Sequence, residues 1–422
     1  MIICRALPYV VAEDVNLDIA HTLYTTAKQL DPSRPVNTAD GVWGATAKFA
    51  NPQDFRSTGF ALNAIPIGDP HQFNIAGVPP VPIIDHEMGN FVSWPLLEDQ
   101  ISRFHHNIKP YWLTPPLAKV KEHGLLAENA MWSAASNRLY LFCWKDKLEA
   151  LRKTEKISGN EWWLLQDFWT GANGILDTYY VSKHPPSELD EIRSMNGAVQ
   201  LLIAEPGDNL PLPPNSSTLL RAYSSNETLE SSLHVSNYGA ADIPAGTTLE
   251  WSVISTDSTG TNTTICHKSE LLKAAVPQGP GTTVVEPTLR CALPDLGDFQ
   301  HMPKHPETLA ITASLTSASG TKYASNSWRS RVYATAKDGP GGQGHKIYTQ
   351  EKFCNYLPVS DMECTIPEPS ETVAPGAVFV VDYLDANILQ WAARGITVSL
   401  VLLSGSCLIF LTLACPEECL TE

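Results

Sequence analysis

A carboxylate follows directly on an apolar run: Val78-Pro79-Pro80-Val81-Pro82-Ile83 leads into Ile84-Asp85-His86-Glu87-Met88-Gly89-Asn90. This pattern predicts a short buried strand with Glu87 at its end. In a parallel β/α architecture the carboxyl ends of strands carry chemistry, because the loops there converge on a concave face held by rigid strands. A carboxylate so placed can attack an electrophilic carbon or take up a proton. The plain alternative is a solvated loop acid, or a charge that favours a helix N-terminus. A second constellation is aromatic. Gly159-Asn160-Glu161-Trp162-Trp163-Leu164-Leu165-Gln166-Asp167-Phe168-Trp169 reads as another buried strand, and the turn-rich Thr170-Gly171-Ala172-Asn173-Gly174 follows it. Its indoles are either core material or a platform for sugar rings, whose hydroxyls suit Gln166, Asp167 and Asn173. Both readings stand at this level.

Other chemistries lack their residues. His86-Glu87-Met88-Gly89-Asn90 begins like a zinc helix, but Asn90 stands where the second histidine belongs, so no metal site is expected. His105-His106 has no acidic or cysteine partner at ligand spacing, and a solvated helix face accounts for it. Lys337-Asp338-Gly339-Pro340-Gly341-Gly342-Gln343-Gly344-His345 lacks the terminal Gly-Lys-Ser/Thr of a phosphate loop and reads as a linker. No Gly-x-Ser-x-Gly elbow is present. A net charge of −16 without clustered Lys and Arg argues against nucleic acid as a partner. Carboxylate chemistry remains, and no cofactor is expected.

The elements that would position these residues can be read in order. Asn16 can cap a helix with Ile19, Leu23, Ala27 and Leu30 on one face, stopped by Asp31-Pro32. Val36 begins a short strand that ends near Asp40 and Trp43. Lys48 to Val78, rich in Pro, Gly and Asn, reads as a long loop, a lid or an insertion. A helix from about Ala127 to Lys153 would bury Trp132, Ala135, Leu139 and Phe142. Ser187, after His184-Pro185-Pro186, caps a last short helix. Past Ala204, period-two segments such as Leu249-Glu250-Trp251-Ser252-Val253 predict an immunoglobulin-like β-sandwich.

Asp31-Pro32-Ser33-Arg34-Pro35-Val36 with Asp40-Gly41-Val42-Trp43, then Pro82-Ile83-Ile84-Asp85-His86-Glu87-Met88-Gly89-Asn90-Phe91, then Trp162-Trp163-Leu164-Leu165-Gln166-Asp167-Phe168-Trp169 resemble, in order and spacing, the second half of the catalytic barrel of glycoside hydrolase family 2, the β-galactosidase-like group. The resemblance covers about residues 16 to 330. It implies barrel strands five to eight of a (β/α)8 TIM barrel, a following immunoglobulin-like sandwich, and retaining hydrolysis of a β-glycoside with Glu87 as nucleophile. His86, Asp40, Trp43, Trp163, Gln166, Asp167, Trp169 and Asn173 would then hold the carbohydrate. A retaining enzyme needs a second carboxyl group about 5 to 5.5 Å from the first. In the family that acid/base follows an Asn upstream of the Asp-Pro segment. Glu13 stands near that place in order, but Ala12 occupies the Asn position, so the chain is expected to be an incomplete β-glycosidase. A non-catalytic carbohydrate-binding or structural protein is the alternative.

The expected division is therefore a partial TIM-barrel domain over 1–205, a sandwich over 206–335, and over 336–422 a linker with a truncated α/β or membrane-anchoring segment. Ile396 to Cys415 has no charged side chain and is long enough to span a bilayer, but Ser404-Gly405-Ser406 interrupts it, favouring a helix-turn-strand unit. Nine cysteines is an odd number, and Cys266 and Cys291 can bridge neighbouring strands of the sandwich. Acceptor sequons at Asn215, Asn226 and Asn262 fit an extracellular or secretory-pathway protein. Met1-Ile2-Ile3-Cys4-Arg5 has too few apolar residues for a secretory signal.

Overall fold

The computed structural model describes residues 2–3, 17–37, 54–58, 81–89, 91–105, 107, 109–153, 157–168, 171–205, 222–296, 306–333, 347–349, 362–368, 370–373, 377–381, 388, 390–391, 397–404 and 407–413. Short apolar segments build its parallel part. Strand β1 (Ile2–Ile3) lies parallel to β2 (Val36–Asn37), with helix α1 (Leu17–Leu30) between them in sequence. Asp31-Pro32 ends α1 because a residue before proline is driven out of the helical region. The Asp54 carboxylate accepts from Val36 N at 2.8 Å, Tyr24 OH at 2.8 Å and Lys28 Nζ at 3.0 Å, fixing α1 and β2 to the chain entering β3 (Arg56–Thr58). That strand falls inside the stretch expected to be one long loop, which is a correction. Strand β4 (Ile83–Met88) lies between β3 and β5 (Ile157–Trp162), and all three are parallel.

Parallel neighbours need a crossover. Helices α2 (Leu97–Ser102), α3 (Thr114–Glu122) and α4 (Asn129–Lys153) supply it between β4 and β5. The bounds of α4 agree with the expected helix, but its buried face does not. Leu139 and Phe142 are 49% and 40% exposed, while Tyr140, Leu141, Trp144, Leu148 and Leu151 pack with Ile83, Met88 and Ile157. The helix offers two apolar stripes, and the sheet takes the one with the larger continuous ring surface. On α1, Ala27 is buried but Ile19, Leu23 and Leu30 are exposed, so its expected face is uncovered among the described residues. Helix α5 (Pro186–Met195) starts at Pro186 with Pro185 as its N-cap, not at Ser187, because proline fits the first turn where its missing N–H has no partner to lose.

The alternating segments form a two-sheet sandwich of β6 (Val199–Ala204), β7 (Tyr223–Ser224), β8 (Thr228–Asn237), β9 (Thr248–Thr256), β10 (Asn262–Leu271), β11 (Thr283–Ala292), β12 (Glu307–Thr316) and β13 (Lys322–Tyr333). One sheet has the order β10-β9-β12-β13-β7 and the other β11-β8-β6. Strand β6, which precedes the expected boundary at 205/206, pairs with β8. Leu201, Leu229, Leu233, Trp251, Val253, Leu309, Ile311 and Trp328 fill the space between the sheets. Cys266 and Cys291 are disulfide-bonded, but across the sheets, from edge strand β10 to edge strand β11, and not between neighbouring strands of one sheet. Asn226 and Asn262 are exposed; Asn215 lies outside the described residues.

A further sheet combines parallel β14 (Ile347–Thr349), β15 (Met362–Glu363), β16 (Val378–Val381) and β17 (Thr397–Ser404) with antiparallel β18 (Cys407–Leu413), in the order β15-β14-β16-β17-β18. Within the uncharged C-terminal run, residues 397–404 and 407–413 are thus an antiparallel strand pair. No helix among the described residues is long and apolar enough to cross a membrane. The chain is mixed α/β, and mainly β.

Candidate functional site at the ends of β4 and β5

Register brings the two sequence constellations side by side. Asp85 pairs with Asn160 and Met88 with Trp162, so the residues after β4 and those after β5 leave the sheet together. Glu87 and His86 belong to β4, but their side chains lie outside the described residues. Glu13, Asp40, Trp43, Trp169 and the linker at 337–345 lie outside them as well.

The exit of β4 is stitched to the loop after β5. Trp163 N donates to Met88 O at 3.1 Å, Trp144 Nε1 to Gly89 O at 3.0 Å, Asn173 Nδ2 to Phe91 O at 3.1 Å, and Ser93 N to Ala172 O at 3.0 Å. Gly89 has φ +75°, and a Cβ there would stand 2.3 Å from Trp144 Nε1, so the indole of α4 rests on bare backbone two residues after Glu87. Across the loop, a Cβ on Gly174 would lie 2.2 Å from the Gln166 carbonyl carbon, so its two limbs touch backbone to backbone.

Within this frame the expected sugar-contacting residues divide. Trp163 is half-buried, with its ring centroid 6.1 Å from that of Phe168; Phe168 and Leu165 are exposed, and Gln166 is half-buried. These side chains form an open aromatic rim. Trp162 instead packs on Trp144, centroids 4.4 Å apart, as part of the α4 core. Asp167 and Asn173 are 5% and 4% exposed, and Asp167 Oδ1 and Asn173 Nδ2 are bonded within the protein. Asp167 Oδ1 accepts from Lys183 Nζ at 2.6 Å and from Gly174 N at 2.9 Å. The carbonyl of Asn173 accepts from Tyr140 OH and from Leu164 N. Lys183 completes the knot by donating to Ser93 Oγ at 3.0 Å and Ala172 O at 3.1 Å.

Burial dominates the electrostatics. It pushes the Asp167 carboxyl up against the opposing pull of Lys183, and it draws the Lys183 ammonium down. Desolvation likewise raises the Tyr140 phenol. Beneath β4, fully buried Asp85 opposes Lys147, whose ammonium is lowered to about 8 by burial in spite of Asp146 and Asp85. Lys183 and Tyr140 carry no local motif; only their long-range partners reveal them. The arrangement fixes the backbone at the exit of β4 and leaves Trp163 half-buried and Phe168 exposed in the loop after β5. Among the described residues no cluster of His, Cys, Asp and Glu is set to hold a metal ion.

No family model matches the chain, and no curated protein matches it. Solved structures with similarity include the sporulation control protein Spo0M of Bacillus subtilis, at 20% identity and TM-score 0.20, over 33% of this chain and 51% of that one. The exo-chitosanase CsxA of Amycolatopsis orientalis matches at 13% identity and TM-score 0.29, over 48% of this chain and 19% of that one. The alkylpurine DNA glycosylase AlkC of Pseudomonas fluorescens matches at 12% identity and TM-score 0.19, over 35% and 34%. The match spans about half the length of the first and about a fifth of the second. Similarities of this size carry neither a site nor an activity to this chain.

Proposed function

We propose that the chain is a glycoside-hydrolase-like protein of the family 2 type, acting on a β-glycoside through Glu87 as nucleophile. One observation carries this reading: β4, which contains Glu87, is the central strand of the parallel trio, and its exit is tied by Trp163 N to the aromatic loop after β5. In this proposal β2 to β5 correspond to strands five to eight of a (β/α)8 barrel and the sandwich is immunoglobulin-like, with the barrel part ending before β6 rather than at 205, the sandwich running from β6 to β13, and an α/β segment from 336. Trp163, with His86, Asp40, Trp43, Trp169 and Gln166, faces the sugar, while Asp167 and Asn173 hold the loop from inside. Glu87 attacks the anomeric carbon, the bond to the departing oxygen breaks, and a glycosyl ester forms that water then hydrolyses. Protonation of the leaving group falls to a second carboxyl group, for which Glu13 is the candidate.

The test uses a 2,4-dinitrophenyl 2-deoxy-2-fluoro-β-glycoside, whose leaving group needs no proton. The expected result is an ester on the peptide containing Glu87, found by mass spectrometry and absent from Glu87→Gln. An adduct that persists in Glu87→Gln overturns the assignment. The second reading, carbohydrate binding without catalysis, is supported by half-buried Trp163 beside exposed Phe168 in the loop after β5. It predicts that sugar binds at the rim and no ester forms.

A further inference from the structure

A cavity large enough for a small ligand lies away from the strand ends. It measures about 700 Å³ and lies between α4 and α5 on one side and the outer face of the five-stranded sheet on the other. Helix α4 separates it from the candidate site, since Tyr140, Trp144 and Leu148 face β4 and β5 while Arg138, Phe142 and Lys145 face the groove.

The floor is a hydroxyl array set by strand register. Thr312 of β12 stands opposite Ser252 of β9 and Ser327 of β13; two residues on, Ser314 stands opposite Glu250 and Ser325. Side chains of alternate residues share a face, so these groups form two adjoining cross-strand rows. Ser252 Oγ and Thr312 Oγ1 are 2.8 Å apart. Short side chains leave the room that the cavity occupies. Its wall is the 40% exposed ring of Phe142.

The charges of the groove are mostly committed within the protein. Arg138 grips Glu191 with its two terminal guanidinium nitrogens, Nη1 and Nη2. Lys145 pairs with Glu149, which also accepts from Asn326 Nδ2 and Trp328 Nε1, each at 2.8 Å. Glu250 pairs with His267 at 3.0 Å and Asp190 with Arg193. An anionic ligand would meet surplus carboxylates, and an apolar one would strand the hydroxyls. A pyranose chain offers hydroxyls for the floor and a C–H face for Phe142. The volume lies within the range of roughly 300–1,000 Å³ usual for small-ligand sites.

We propose that this groove binds a neutral oligosaccharide of two to three sugar units, at a site distinct from Glu87 and independent of the reading given for it. Cellotriose, chitotriose and β-1,4-galactotriose are titrated into the full chain, with binding followed by calorimetry and by saturation-transfer NMR; trigalacturonate is the anionic control. At least one neutral trisaccharide is expected to bind at about millimolar Kd, a typical weak affinity. Ser314→Trp, which fills the floor, is expected to abolish that binding. Phe142→Ala, at an exposed position that leaves folding intact, is expected to weaken it about tenfold, and Glu87→Gln to leave it unchanged. No binding by any neutral trisaccharide, tighter binding of trigalacturonate, or binding unaffected by Phe142→Ala overturns the proposal. The ester test at Glu87 fails or succeeds separately.

Discussion

Lys183→Met removes the knot that holds the loop after β5. Lys183 and Asp167 have side-chain exposures of only 8% and 2%, so the pair is poorly screened by solvent. The substitution deletes a 2.6 Å ion pair and two further hydrogen bonds, to Ser93 Oγ and Ala172 O. It also strands a buried carboxylate, and breaking one side of such a pair costs about 3–5 kcal/mol. Asp167→Asn/Lys183→Met carries no stranded charge and keeps an oxygen for Gly174 N, so the double variant should recover about half of that loss. Equilibrium urea unfolding, read by tryptophan fluorescence, measures all four corners of the cycle. The pH dependence supplies a second readout. Without Lys183, the Asp167 carboxyl rises further above its usual 3.8, so the folded state prefers it protonated. That contribution is fully present below the unfolded carboxyl value and is lost as pH rises through the folded one. The deficit of Lys183→Met should therefore be smaller at pH 4 than at pH 8. An equal deficit at both values, or a single-variant loss below about 1 kcal/mol, refutes the view that this pair clamps the loop.

Gly89→Ala forces a side chain into a left-handed conformation and against Trp144, and should cost about 2–4 kcal/mol with a red shift in tryptophan emission. Two buried groups should bend the pH profile in opposite senses. The Asp146 carboxyl is pushed up to about 7 by burial and Glu149, so its contribution is greatest below 3.8 and fades as pH rises toward 7; Asp146→Asn should remove that fall. His234 is held down to about 4 by burial and Lys153, so its contribution is full above 6.5 and fades as pH falls toward 4; His234→Gln should make stability less sensitive to acid over that window, as measured by thermal melts from pH 4 to 7. The Cys266–Cys291 bridge closes a separation of 25 residues, so Cys266→Ser/Cys291→Ser should lower sandwich stability by about 3 kcal/mol in denaturant titrations.

Elements specified by local pattern were legible. A strand ending close to Glu87 is present but shifted along the chain, since β4 runs Ile83–Met88 and takes only Ile83 from the apolar run; the alternating segments past Ala204 form a sandwich, and the bounds of α4 follow its periodicity. What the sequence hid is orientation. Helix α4 has apolar residues on two stripes, and only the competition between Tyr140-Trp144-Leu148 and Leu139-Phe142 for one sheet decides between them. On α1, periodicity marks a stripe that little described chain covers. Strand β3 was lost in its loop because three residues, Arg56-Ser57-Thr58, hold no apolar alternation.

The same limit governs the candidate site. Asp167 and Asn173 have side chains that suit sugar hydroxyls as well as backbone amides, and nothing local distinguishes the two uses. Lys183, 16 residues beyond Asp167, decides between them by entering the interior, and Phe91 O decides for Asn173. A polar residue after a strand is thus ambiguous until its partners are known. Once they are, the ambiguity resolves into a division of labour: the buried Asp167–Lys183–Ser93 knot sets the backbone, while Trp163 and Gln166 are half-buried and Phe168 is exposed. Weakening the knot should therefore slow ester formation at Glu87 by displacing the rim, whereas trimming Phe168 to Ala should weaken sugar binding without loss of loop stability. If both substitutions lower stability equally, the rim is core, and the candidate site loses its ligand-facing half.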